Sequence, residues 1–599
     1  MTRLPISVFL LLLIVCPALA LSNAGLTKVE LTLVDANATG YGTFQSHNQK
    51  IVSNENGIFM THLRSHNENY TAQQWRLSQS TDGGLTFNTI FEATDPTYPP
   101  VLETDENNNI YLVRTDFVNG HAFFYRFLAD ENYAQPHITT ILKGSAQKFC
   151  MVYDQPRQQF YYMTWEGGFY IIPMNSSGMF HARRKKLLAN GDYAVPMYPH
   201  LFLDVNGNLH YAWTTQKYGV YLYWDIHYMM SPDVGEHWQK LDGSPLAIPV
   251  KCDNSGASDR ITLSDEFDVH TWLSNMMIKD GKIHFLYEAQ FNPHRQHYVR
   301  YDMATASRDV DIMPRFGGEQ IYLAGLDGFF TTKPGLENAP LYCIGRFAGR
   351  IGCLASDDNG ETWYDYAAAD STFNLYSIGG CRIITQDNYI IGSFTNYQVS
   401  GEGEDQSQVY FLRIKAGLAQ AKVARANYRN GRLTVEFSNV HGQPETIRFA
   451  TASDEWGEWM SFAGKMQVEL SAMPVKYQLR SRMKVESDVF EIDYTTAVKE
   501  RGIEKNGNMN IAVCAYPNPF NAETVIEISL PDDQHVAVAV FDINGRLVRT
   551  LTDGQLARGT HYLKWNGRDS TGKAVASGIY LCRIQGHGAV QSQKIILQR

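Results

Sequence analysis

Seven times along the chain an apolar run, a tight polar turn and a returning apolar run open a new unit. Their spacing of about 50 residues limits what such a chain can fold into. The openings start near His47, Tyr98, Lys148, Tyr198, Trp272, Asp327 and Tyr376. The turns fall at Asn54 to Gly57, Asp105 to Asn109, Asp154 to Gln158, Asp204 to Asn208, Asp280-Gly281, Gly335 to Asn338 and Thr385 to Asn388. The unit at Tyr198 is the most complete. Leu201 to Asp204 runs into Asn206-Gly207, which predicts a two-residue hairpin turn. Leu209 to Trp213 returns, Tyr221 to Met230 reads as a third strand, and Ser231 to Trp238 turns into a fourth. A four-stranded sheet cannot bury both faces alone, so the copies must stack, and about seven close a ring with short, protected edges. The expected fold is therefore all-β, with a seven-bladed β-propeller at residues 21–416. Leu26 to Asp35 alternates apolar and polar residues, and as a strand it would close the ring by joining the last blade. An insertion around Lys251 to Phe267 stretches the repeat once.

Composition agrees with a turn-rich β protein of several domains: 599 residues, 34 Tyr, 47 Gly and 12% aromatics. A net charge of -10 gives no sign of a partner in nucleic acid or a membrane surface. Arg3, the apolar run Val8 to Val15 and Ala18-Leu19-Ala20 predict a secretory signal peptide over residues 1–20. No other segment is long and apolar enough to be a transmembrane helix. Cys16 lies in the signal, leaving Cys150, Cys252, Cys343, Cys353, Cys381, Cys514 and Cys582. An odd number at irregular spacing predicts buried thiols rather than a disulfide framework, with Cys343 and Cys353 the one pair a hairpin could join. None of them has metal-ligand spacing, and neither a metal nor another cofactor is expected.

Beyond Gly417 the blade period stops. Strand alternation at Leu433 to Phe437, Thr446 to Ala450, Met466 to Leu470, Tyr477 to Met483 and Phe490 to Tyr494 predicts a β-sandwich at 417–497. Residues 498–512 are polar and glycine-bearing and read as a linker. An immunoglobulin-like domain is expected at 513–599.

Three segments share a pattern: Ser80-Thr-Asp82-Gly-Gly84-Leu-Thr86-Phe87, Ser231-Pro-Asp233-Val-Gly235-Glu-His-Trp238 and Ser356-Asp-Asp358-Asn-Gly360-Glu-Thr362-Trp363. They resemble the Asp box, the bacterial neuraminidase repeat of sialidases and related propellers. Their Asp residues are expected to brace turns rather than do chemistry, since an Asp carboxylate accepts backbone N–H groups across a turn that glycine completes. The final stretch also carries a resemblance, through Ala515-Tyr-Pro-Asn-Pro-Phe-Asn521, Val536 to Val548, Gly559 to Trp565, Ser577 to Arg583 and Lys594 to Leu597. It looks like the C-terminal sorting domain of type IX secretion cargo. That resemblance implies a Gram-negative bacterium, export across its outer membrane to the surface or medium, and the type IX machinery as partner.

In a propeller the first strand of each blade starts at one rim, where the loops joining second to third strands also open, and that rim is the default pocket. The strand starts bring His47, Tyr98, Lys148, Tyr198, His200, His270, Trp272, Asp327 and Tyr376 there. The ends of second strands add His62, Arg64, His66, Arg114, Asp116, Glu166, Lys217, Glu288, Arg295, His297 and Arg346. Cations and aromatics outnumber acids in this set, which suits an anionic sugar: Arg grips a carboxylate and aromatic rings stack on pyranose faces.

Three functions fit that rim. A sialidase needs an Arg cluster, a Tyr nucleophile with a Glu, and an Asp acid. Here the Arg-Ile-Pro signature of sialidases is absent, and only Arg64, Arg114 and Arg346 offer a substitute. A polysaccharide lyase needs Arg or His at the uronate carboxylate and a Tyr or His at the C5 proton. The run Ser46 to Gly57 with Arg64 and His66, and Tyr198-Pro-His200 with Asn206-Gly-Asn208, resemble blades of neuraminidase-repeat propellers that include lyases of acidic algal polysaccharides. That resemblance implies His47 and His66 as catalytic groups, with Tyr198 and His200 across the funnel. Arg64, Arg114, His270, Trp272, Asp327, Arg346 and Tyr376 would bind substrate. The third function is a non-catalytic propeller that binds a glycan or protein. The partner expected in the two enzyme readings is an acidic polysaccharide or glycoconjugate.

Overall fold

The computed structural model describes residues 26–45, 48–66, 73–95, 97–116, 120–143, 148–179, 184–320, 327–397, 406–492, 512–516, 518, 520–530, 532–543, 545–586 and 589–598. The expected signal peptide, the expected linker but for its last residue, and His47 lie outside them. The described chain is β-strand and turn, with one short 3-10 turn at Ser264–Glu266.

Two compact units form. The first holds the described residues up to Ala419 together with His441–Gln443 and Arg480–Ser487. It is a seven-bladed propeller. The blades begin with the strands Ile51–Asn54, Val101–Thr104, Phe149–Asp154, Ala194–Leu203, Thr271–Lys279, Phe329–Thr332 and Leu375–Gly380. Each first strand pairs antiparallel with the strand that follows it. Blades two and five are regular four-stranded sheets, whereas the fourth strand of blade four is only Trp238–Gln239, to which the two-residue strand Pro245–Leu246 is added. All seven openings expected from the repeat sit at or within a few residues of these starts.

The ring closes on its N-terminal strand. Thr27–Ala38 lies antiparallel to Ser407–Lys415, with Val29 opposite Ile414, Leu31 opposite Leu412 and Leu33 opposite Tyr410, and becomes the outer strand of blade seven. Thr27 and Lys28 also pair parallel with Ala367 and Ala368 of blade six. Between blades the sheets bury continuous apolar layers. Tyr161, Phe169, Tyr211, Trp213 and Trp238 fill one, and Trp75, Leu102, Leu112 and Tyr125 another.

Turn chemistry explains the hairpins. In blade four the loop is longer than the two residues read at Asn206-Gly207: Leu203 faces Leu209 and five residues intervene. The cause is Asp204, whose carboxylate accepts the N–H groups of Asn206 and Asn208 at 2.9 and 2.8 Å and organises a wider turn, with Gly207 at φ 83°. Asp105 does the same for Asn107 and Asn109.

The three Ser-x-Asp segments adopt one geometry at third-to-fourth-strand turns. In the last, Ser356 Oγ donates to Asp358 at 2.8 Å and accepts Gly360 N–H at 2.7 Å. Asp358 then accepts the N–H groups of Glu361 and Thr362 at 3.0 and 2.8 Å. Asp82 and Asp233 repeat the pattern with Thr86 and His237.

The insertion stitches blades together. Val250–Lys251 adds to blade three, Asp259–Arg260 pairs with the third strand of blade four, and Glu266 is tied to His297 of blade five at 2.8 Å. Cys150, Cys252, Cys343, Cys353, Cys381 and Cys582 are free and buried. Cys343 and Cys353 stand one register step apart on neighbouring strands, so they face opposite sides of the sheet and enter different cores.

Beyond Ala419 the chain forms two pairs of sheets, which belong to the second unit apart from His441, Arg480 and Ser481. Gln420–Arg429, Arg432–His441 and Lys465–Glu469 form one sheet, and Met460–Ser461, Pro444–Thr451, Pro474–Ser481 and Phe490–Glu491 form another. The last domain places Ala512–Tyr516, Thr524–Leu530 and Gly559–Trp565 in one sheet. Leu547–Leu556, Gln534–Asp542, Gly578–Gly586 and Ala589–Leu597 form the other, over a core that includes Ile526, Val538, Trp565 and Ile584.

Candidate functional site

The rim where first strands start carries a belt of rings. Tyr397 packs on Tyr376 at 5.2 Å between centroids, and Tyr376 stacks on Phe44 at 6.0 Å. Phe44 meets Tyr98 at 5.1 Å and Tyr41 at 5.0 Å. Lys148 bridges to the other half, with its ammonium 5.7 Å from the Tyr98 centroid and 4.1 Å from that of Tyr198. Tyr198 packs on Tyr223 at 5.4 Å and Trp272 at 5.5 Å, and His270 lies parallel to Trp272 at 6.1 Å. The belt thus draws on blades seven, two, three, four and five and on the segment that enters blade one. Sequence positions from Tyr41 to Tyr397 meet at one mouth.

Bulges aim several of these rings. The register of blade four slips between Met197 and His200, that of blade five between Leu273 and Asn275, and that of blade seven between Tyr376 and Gly379. Tyr198 holds φ 44° and Ser377 φ 53° inside their bulges. Non-glycine residues in that region are strained, and such strain gathers at functional sites.

Asp327 and Arg346 complete the mouth in blade six, 3.7 Å apart. Arg346 also donates to the Leu375 carbonyl at 2.7 Å, and Asp327 accepts Ile378 N–H at 2.9 Å. Burial pushes the Asp327 carboxyl up to about 6 against the pull of Arg346, and nearby Glu288 adds to the rise. Glu288 is buried and meets His294 at 2.5 Å.

Burial sets the protonation of the central groups. The Tyr198 phenol is raised well above its ordinary value, first by burial and then by Tyr223 and its other tyrosine neighbours. Burial brings His200 down to about 3, so its imidazole is neutral. It also brings Lys148 down to about 8.

Of the site residues read from sequence, Tyr198, His270, Trp272, Asp327, Arg346 and Tyr376 are brought to the mouth. His200 is buried beside the blade-four bulge. Arg64 is turned toward Asp35, 3.6 Å away, which also contacts His62 and Arg76. Arg114 stacks on Phe123 at 4.4 Å, donates to Tyr125 at 3.2 Å and faces Asp95 at 3.6 Å. The three arginines thus end on three separate acids, and Arg346 is the one seated with the mouth residues. His66 is exposed at the end of its strand, and His47 lies outside the described residues. The belt also takes in Tyr41, Phe44, Tyr223 and Tyr397, which are not among the expected site residues. The rule of strand starts and second-to-third loops covers Tyr223 and Tyr397, whereas Tyr41 and Phe44 precede the first strand and carry no such signal. Among the described residues no group of three or more His, Cys, Asp and Glu is arranged to hold a metal ion.

An all-β propeller with an aromatic, charge-bearing mouth, followed by sandwich domains, is the class these elements define. In comparisons with known proteins, the FlgD Ig-like domain model matches residues 519–589. Over 55 residues the chain is 38% identical to the basal-body rod modification protein FlgD of Salmonella typhimurium and to that of Salmonella typhi, and it spans 23% of their length. Among solved structures, a polysaccharide lyase described as PL25 ulvan lyase is 11% identical with a TM-score of 0.46, covering 63% of this chain and 95% of that one. Polysaccharide lyase Uly1 is 10% identical with a TM-score of 0.43, covering 65% and 99%. A phage phi92 endosialidase is 10% identical with a TM-score of 0.34, covering 92% and 89%. Similarity at this level bears on neither activity nor substrate.

Proposed function

We propose that the propeller is a carbohydrate-active protein that holds an acidic extracellular glycan across the belted mouth and cleaves it by β-elimination. The observation that carries this reading is the continuous belt from Tyr397 to His270 with Lys148 and Arg346 set into it. Half-buried rings offer flat apolar faces to pyranoses, and cations beside them suit carboxylates. Elimination at a uronate needs a base at the C5 proton, a cation at the carboxylate and an acid for the leaving oxygen. Tyr198, kept protonated by burial, suits the acid, and His47, by the resemblance of its segment, suits the base. His66 and His200 are the alternative imidazoles. Incubation with uronate polymers, following ultraviolet absorbance of the unsaturated product, tests the proposal. Loss of that signal in His47→Ala and Tyr198→Phe supports it, and no product from any uronate polymer ends the lyase reading.

Sialidase-type hydrolysis is the alternative reaction, and release from a fluorogenic sialoside would identify it. A non-catalytic binder is favoured by one observation: Tyr198 and His200 are both buried and neutral. Glycan binding without turnover of either substrate would establish that reading.

We also infer that the three Ser-x-Asp turns are Asp boxes and that residues 513–599 are a type IX sorting domain, on the ordered motifs between Tyr516 and Leu597. An immunoglobulin-like fold is compatible with that role. The localisation that follows is secretion across an outer membrane to the cell surface or medium. Fusing residues 513–599 to a periplasmic reporter in a type IX-competent bacterium tests this, and retention of the reporter in the periplasm refutes it.

A further inference from the structure

Charged groups around the rim are nearly all matched by an acid or a carbonyl. Arg64 faces Asp35, Arg114 faces Asp95, Arg346 faces Asp327, Lys217 pairs with Asp268, and Arg295 reaches Asp265 at 2.9 Å. Lys50, buried below the rim, donates to the carbonyls of Gln45 and Asn48. Lys148 differs. Among the described residues no acid and no hydrogen-bond acceptor meets its ammonium, and its neighbours are the faces of Phe44, Tyr98 and Tyr198 at 5.8, 5.7 and 4.1 Å. Aromatic faces attract a cation, yet they replace little of the hydration that it loses. A half-buried ammonium with ring faces on its protein side leaves room for an anion supplied from outside.

We infer that Lys148 is the anion receiver of this mouth: its ammonium takes the carboxylate or sulfate of a bound glycan while Tyr98 and Tyr198 flank the sugar that carries it. The inference rests on the acidic-glycan reading and deepens it by naming the residue that makes the choice. The position is central, because Lys148 is the link between the two halves of the ring belt. Arg346, by contrast, already faces Asp327, so a substrate anion there would have to compete with a carboxylate. Burial lowers the Lys148 ammonium to about 8, so its charge is lost on the mildly alkaline side. The titratable groups facing it are the phenols of Tyr98 and Tyr198, both raised by burial and so neutral through that range.

The test is calorimetric binding to the full chain of three probes: tetragalacturonate, its carboxyl-reduced counterpart and a sulfated galactan tetrasaccharide. Wild type is expected to prefer at least one anionic probe over the neutral one. Lys148→Met is expected to reduce that preference, read as the ratio of anionic to neutral binding, roughly tenfold or more while the melting temperature holds, and Lys148→Arg to restore it. The two anionic arms distinguish a carboxylate site from a sulfate site. A second measurement needs no variant: wild-type preference for the anion should fall between about pH 7 and about pH 9. If wild type prefers the anion and Lys148→Met keeps that preference, the inference is overturned and the acidic-glycan reading stands. If wild type shows no anion preference, the acidic-glycan reading falls and takes the inference with it.

Discussion

The Asp327 carboxylate reaches from blade six to accept the backbone N–H of Ile378 in blade seven at 2.9 Å. Ile378 follows Ser377, which holds φ 53° in the bulge that presents Tyr376. A buried acid therefore braces the strained turn behind a ring of the belt. Asp327→Ala should orphan that N–H and destabilise the propeller by about 2 kcal/mol, read by denaturant unfolding.

The same carboxyl sets a pH signature. Its folded value is raised, so the folded chain binds more protons than the unfolded chain between about 4, the unfolded value, and about 6. Stability from this group is therefore full below the lower value and is lost as pH rises through the upper one. Asp327→Asn, which keeps an acceptor and cannot ionise, should flatten that stretch of the stability profile. An unchanged slope in the variant would refute the assignment.

Trp272 lies half-buried between Tyr198, Tyr223 and His270. Trp272→Ala should weaken binding of an acidic oligosaccharide roughly tenfold, the equivalent of about 1.4 kcal/mol, in a calorimetric titration. Because it removes a flat face and no charge, it should weaken the neutral analogue as much.

His297 makes an opposite pair of contacts, to Glu266 at 2.8 Å and Asp311 at 3.1 Å. Burial pushes the imidazolium down, but the bonds to Asp311 and Glu266 outweigh it and carry the group up to about 9. A base raised on folding stabilises fully below its unfolded value of about 6.5 and loses that contribution as pH climbs through about 9. Since Glu266 belongs to the insertion, hydrogen exchange there should quicken between those limits. His297→Gln should show fast exchange at every pH.

Asp358 accepts two backbone N–H groups and the hydroxyls of Ser356 and Thr362. Asp358→Ala should lower the melting temperature, at a cost on the order of 1–2 kcal/mol, and leave glycan binding unchanged. A loss of binding with an intact fold would move this turn from scaffold to site.

Much of the ring was readable because its signals are local. A carboxylate that caps its own turn, as at Asp105 and Asp204, leaves an Asp and an Asn four residues apart, and a blade begins just before it. The choice of a side-chain partner across blades leaves no such local signal. Arg64 and Arg114 end second strands at the expected rim, but which acid meets each depends on chain remote in sequence or on strand facing. Asp35 is supplied by the closing strand, and Asp95 by the connection between blades one and two. Tyr41 and Phe44 escaped for a similar reason. They come before the first repeat, where no period predicts that the chain will turn inward across the mouth.

Closure by Thr27–Ala38 has a temporal consequence. A ribosome makes this strand first and its partner, Ser407–Lys415, several hundred residues later. Until then the outer place in blade seven stays vacant, and Val29 and Leu31 lack their neighbours. The belt cannot assemble in that interval either, because Tyr376 and Tyr397 sit on the same late blade. A nascent chain would thus gain its sugar platform and its circular clasp together, in the final stage of making the propeller.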